Sequence, residues 1–257
     1  MNASKYSESQ IICGLQQAWP EIVGGEGEFD SDTSIYEYMK SDGSWDELDF
    51  ADIFRELEWF FGFSCCDEEW KQLFGFQAAE QSLATWEREF APTLTFGVLA
   101  HFITERAPAI SFGPTTVFGR ECHPAGVFYG LQQLGIKSSK GEQRIVPSDR
   151  IIDILRGNQL HSFWTHVCWI SERAVPKLPA FWRHVVGNAF CIGFLSIFMA
   201  LWATLTFGGL AKVVIAIFFA ITVFTIASAY KHYTNPLPRE IVTFRDLALA
   251  IAKRRLN

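Results

Sequence analysis

The sequence predicts an all-α protein: helical bundles plus a two-helix transmembrane hairpin. Three observations predict it. Apolar residues recur at helical spacing in the N-terminal half, two long uncharged stretches lie in the C-terminal half, and charge is split between the halves. Of 257 residues, 49% are hydrophobic and 19% charged, which excludes a disordered chain. Residues 1–100 carry 20 acidic and 5 basic side chains, a net −15, against a net +9 for residues 101–257. Such polarity points to two parts in two electrostatic settings. The overall charge of −6 argues against nucleic acid as a partner.

The first helix is expected around Ser9 to Ala18, stopped by Pro20, whose ring and missing N–H break a helix interior. A long acidic loop follows. Its glycines at 24, 25 and 27 lack the trailing Lys and helix start that a phosphate cradle needs. Phe50, Ile53, Phe54, Leu57, Phe60 and Phe61 then fall at i, i+3, i+4, i+7, i+10 and i+11, a core-facing helix. Asp49, Asp52, Glu56 and Glu58 are read on its outer side, and Asp46 and Glu47 favour the positive end of the helix dipole. Gly62 ends it. A further helix, capped by Thr93 or Thr95, runs through Phe96, Leu99, His101, Phe102 and Ile103. Four helices with a long loop after the first is the plan of this unit.

The hairpin comes from residues 185–231. No residue from Val185 to Ala211 is charged, Lys212 interrupts, and Val213 to Tyr230 is again uncharged. Spans at 186–207 and 211–230, with Gly208 and Gly209 in the turn, each cover the ~30 Å hydrocarbon core at ~1.5 Å per residue. Arg183 and Lys231 flank the pair and Lys212 marks the turn. The positive-inside rule then places both termini in the cytoplasm, as in a two-pass protein of a bacterial inner membrane. Met1 to Gln10 is polar and does not read as a signal peptide. Six cysteines, Cys65 and Cys66 adjacent, are read as thiols. The C-terminal Lys253-Arg254-Arg255 is expected at anionic headgroups.

The chain also repeats itself. Gly14-Leu15-Gln16-Gln17 recurs as Gly130-Leu131-Gln132-Gln133, and at the same offset of 116 Ile35 meets Ile151 and Met39 meets Leu155. Thr95-Phe96 and Leu99-Ala100 meet Thr243-Phe244 and Leu247-Ala248, and Ile103 meets Ile251, at an offset of 148. The excess of 32 residues in the second unit is assigned to the inserted hairpin. The expected organisation is an acidic helical domain at 1–110, the first part of a second unit at 122–182, the hairpin at 185–231 and a completing helix at 236–257.

Asp46-Glu47-Leu48-Asp49, then Leu57-Glu58 and Phe61, then Asp67-Glu68-Glu69, resembles the acyl carrier proteins over residues 8–106. Thr95-Phe96-Gly97-Val98-Leu99 resembles the start of that family's fourth helix, and Val146-Pro147-Ser148-Asp149 the loop before its second. The resemblance implies a four-helix bundle in each unit. In the family a serine in the Asp-Ser-Leu motif carries phosphopantetheine, and here Glu47 stands in its place. A carboxylate cannot receive the arm, so the resemblance implies an arm-less carrier-like fold without a cofactor. Ser44 is the nearest hydroxyl for a shifted phosphopantetheine, and Ser162 its counterpart in the second unit.

No motif for a reaction is present, so the chain is not expected to be an enzyme. His161, His166 and Cys168 do not follow zinc spacing, and no metal is expected. The expected function is that of a membrane-tethered, non-catalytic scaffold that docks a protein with a basic surface through Asp46, Glu47, Asp49, Asp52 and Glu56. A functional acyl carrier using Ser44, and a small transport- or lipid-related membrane protein, are the alternatives. Phe and Gly residues of the hairpin offer a route to self-association in the bilayer.

Overall fold

The computed structural model describes residues 5–24, 27–43, 50–75, 83–138, 145–178, 224, 230 and 235–255. Helix α1 (Glu8–Ile22) begins with a reciprocal box: Gln10 N–H donates to the Ser7 hydroxyl, and Ser7 N–H donates to the Gln10 side chain. This satisfies two of the donors that any helix start leaves open. The helix runs through Pro20 to Ile22, past the stop expected there. In the last turn a proline forfeits one hydrogen bond, and the helix has only two residues left to hold. Gly27 then crosses so close that a Cβ would lie 2.6 Å from both Gln16 O and Pro20 Cγ, at φ 67°, so only glycine suits the position.

Helix α2 (Ile35–Asp42) lies within the stretch expected as loop. Its eight residues give too little periodicity to announce it, but Ile35 and Met39 are buried and Ser34 caps it. Helix α3 (Phe50–Phe61) matches the expected pattern, with Ile53, Leu57 and Phe61 buried. Next come α4 (Asp67–Leu73), α5 (Leu83–Glu89), a 3-10 turn at Ala91–Thr93 and α6 (Phe96–Arg106), capped by Thr95. The described part of this unit therefore holds six helices rather than four. A short antiparallel hairpin, β1 (Thr115–Val117) and β2 (Arg120–Cys122), departs from the all-α expectation. Helices α7 (His123–Ser138), α8 (Ile151–Ile154), α9 (Asn158–Ile170) and α10 (Phe244–Arg255) complete the description.

The same backbone clasp occurs twice. Ile35 N–H donates to Leu94 O, Phe96 N–H to Thr33 O and Gly97 N–H to Ser31 O, at 2.9, 3.1 and 2.7 Å. Ile151 N–H donates to Val242 O, Phe244 N–H to Asp149 O and Arg245 N–H to Pro147 O, at 3.1, 3.2 and 2.9 Å. Residues before α2 and α8 differ by 116, and those before α6 and α10 by 148. The amide of Gln16 reaches Phe29 O, and that of Gln132 reaches Ile145 O, again 116 apart. Thr95 caps Val98 N–H as Thr243 caps Asp246 N–H. Each clasp pins a short helix against a long one and satisfies backbone groups that a loop would otherwise leave to water.

Helix α9 joins the two halves, packing on both α1 and α7. The seam is aromatic: Trp169 makes edge contacts with Tyr6 and Phe61, at 4.8 and 5.5 Å between centroids. Gly14 permits this approach, since a Cβ there would lie 2.8 Å from Phe61 and 3.3 Å from Trp169.

The transmembrane part of the expected fold is overturned. Among the described residues no helix is long and apolar enough to cross a membrane, and the two-pass placement with cytoplasmic termini is withdrawn with it. The expected spans 186–207 and 211–230, with Arg183, Lys212 and Lys231, lie outside the described residues, apart from Phe224 and Tyr230. The inference fails because an uncharged run reports avoidance of water, not what replaces the water. Nor is the basic C-terminal cluster wholly turned to lipid, since Arg254 donates to Arg173 O.

Candidate functional site

The acidic face is built on α3 and α4. Burial of Ile53, Leu57 and Phe61 turns the opposite side of α3 outward, and Asp52, Arg55, Glu56 and Trp59 are exposed along it. Their i, i+3, i+4, i+7 spacing forms one stripe. Trp59 is 72% exposed. Arg55 pairs with Asp52 at 2.9 Å, both well exposed, so the pair adds little to stability. Asp67 and Glu68, exposed in the first turn of α4, extend the negative surface.

Two carboxylates of this region turn inward. Glu58, expected on the outer side, is half-buried and accepts from Trp70 Nε1 at 2.7 Å and from the Cys65 thiol at 3.4 Å. Glu69 accepts from Arg106 Nη2 at 2.7 Å, tying α4 to α6. The Arg106 hydrogen bond holds the Glu69 carboxyl below the usual carboxylate range. Burial, reinforced by Glu58, pushes the Cys65 thiol up to about 12. Between α3 and α4 lies a cavity of about 440 Å³ whose wall includes Phe54 and Trp70, stacked 4.4 Å apart.

Comparison with family models, with curated proteins and with solved structures finds no match.

Of the expected docking residues, Asp52 and Glu56 are exposed on one face, while Asp46, Glu47 and Asp49 lie outside the described residues, as does Ser44. Ser162 sits half-buried on α9 beside a cavity of about 320 Å³ shared with Trp59 and His166. Both ring nitrogens of His166 face carbonyl oxygens, Ser162 O at 2.8 Å and Phe60 O at 3.0 Å. The ring also stacks on Phe60 at 5.0 Å between centroids. His166 therefore serves as a tie between α3 and α9. Among the described residues no three His, Cys, Asp or Glu side chains gather into a group that could hold a metal.

Trp59 went unread in the sequence, although a signal was there. It falls out of register with Phe50, Ile53, Phe54, Leu57, Phe60 and Phe61, so the helical period that buries those residues exposes it.

Proposed function

We propose that this protein is a non-catalytic, carrier-like interaction module that docks a basic partner protein through the outer face of α3. The observation that supports this most is the exposed Trp59 on one stripe with Asp52 and Glu56. A large exposed aromatic on a rigid helix is the kind of side chain that dominates binding energy once a partner covers it. The surrounding carboxylates steer a basic surface toward it and set its orientation. The acyl-carrier resemblance supports the same face, because that family presents the corresponding helix to its enzymes. Glu47 in the serine position favours docking without an attached arm.

The test compares the full-length chain with Asp52→Lys/Glu56→Lys and with Trp59→Ala, as baits in native lysate. A bound protein should fall at least ~10-fold in both variants, weaken with salt, and leave the far-ultraviolet circular dichroism unchanged. A partner retained equally by both variants overturns this reading.

A further inference from the structure

A second site lies at the seam between the two halves, away from the acidic face. The segment leading into α1, the 110–113 connection, the turn after α9 and the end of α10 enclose a cavity of about 620 Å³. That is within the roughly 300–1,000 Å³ typical of small-molecule sites. Lys5, Arg173 and Arg254 all line it, although they stand far apart in the chain.

The partners of these charges decide what the cavity suits. Lys5 is neutralised by Glu105 at 2.6 Å. The acid in the wall, Glu172, accepts from the hydroxyls of Ser7 and Ser9 at 3.4 and 3.3 Å rather than from its arginine neighbours. Arg173 donates to the Gln16 amide oxygen and Arg254 to Arg173 O. Among the described residues neither guanidinium has a carboxylate partner. Arg173 and Arg254, each with guanidinium donors to spare, therefore line one cavity whose wall holds a single carboxylate, Glu172.

The turn that carries Arg173 is held at a conformational cost. It closes α9 with Glu172 N–H donating to Trp169 O and Arg173 N–H to Cys168 O, the helix ending that ordinarily places glycine in the left-handed region. Here Glu172 and Arg173 occupy it, at φ 52° and 62°. Glycine would adopt both angles more easily but would remove the two side chains that line the cavity.

We infer that the cleft holding Arg173 and Arg254 binds the phosphate group of a small organic molecule. A planar guanidinium fork matches phosphate oxygens in pairs. A phosphate offers three peripheral oxygens and so engages two forks, whereas the two oxygens of a carboxylate are satisfied by one. Tyr6 and Phe112 supply apolar wall for the rest of the molecule.

The test is calorimetric titration and thermal melting of the full chain with pyrophosphate, ADP and citrate at matched ionic strength. Pyrophosphate and ADP should bind and raise the melting temperature. Arg254→Gln and Arg173→Gln should each weaken that binding about tenfold or more, the effect of losing a charged hydrogen bond. Arg88→Gln, which alters an exposed arginine paired with Glu89 elsewhere, should not. ADP binding beyond pyrophosphate identifies a nucleotide-like ligand, and equal binding identifies the phosphate alone. No binding of pyrophosphate or ADP at millimolar concentration overturns the site. So does equal loss in Arg88→Gln, and citrate binding as well as pyrophosphate overturns the choice of phosphate.

Discussion

At the scale of single residues, the neighbouring cysteines at 65 and 66 show how position outweighs identity. Cys65 is half-buried against Glu58 and its thiol is raised to about 12, whereas Cys66 is exposed at the cap of α4. Thiolate, not thiol, is the nucleophile. Iodoacetamide at about pH 8 should therefore modify Cys66 well ahead of Cys65, and Cys168, buried and also raised to about 12, should stay unmodified. Peptide mapping after timed alkylation reads this directly, and Cys65 reacting first would mean that the Glu58 contact is not made. Nothing in the sequence separates these two thiols, because Glu58 and Trp70 approach Cys65 only once α4 has folded back on α3.

At the scale of elements, α4 is fastened to α6 by the Glu69–Arg106 ion pair, with Arg106 also lying 3.7 Å over the Phe102 ring. The Glu69 carboxyl is lowered from its ordinary 4.5 when folded. Its contribution is thus fully present above 4.5 and is lost as pH falls through the lowered folded value. Urea midpoints should drop as pH falls below the ordinary 4.5, with a shallower drop in Arg106→Gln. An identical acid slope in that variant would show that the pair carries no linkage. The legibility of elements followed their length and period. Helix α3 was plain because six apolar residues keep helical spacing across twelve positions. Helix α2 was not, because a short helix is held by its clasp to the segment before α6 rather than by its own pattern. Pro20 misled for a related reason, since its cost depends on how many residues follow it in the helix.

At the scale of the molecule, the two halves share one hydrophobic core with α9 against both. Gly14 sits where α1, α3 and α9 meet. Gly14→Val should overpack that junction and destabilise by about 1–3 kcal/mol. Because the seam is shared, one unfolding transition should move to lower temperature as a whole. Calorimetry that instead showed an unchanged second transition would make the halves independent. The repeat offsets of 116 and 148 could be read from sequence because the clasped residues sit at fixed places relative to buried Leu15, Phe96 and Ile103 and their counterparts. The phosphate cleft could not, because Lys5, Arg173 and Arg254 meet only through the packing of α9 and α10 on the rest.

The double clasp also bears on how the chain finds its fold. The first must bring residue 34 to 95, a loop of 61 positions, and the second residue 150 to 243, a loop of 93. Ring-closing entropy grows only with the logarithm of length, so the longer loop costs about 0.4 kcal/mol more. That is roughly a twofold handicap in closing rate. Additional chain between α9 and α10 thus adds little to the entropic cost of closing the second clasp.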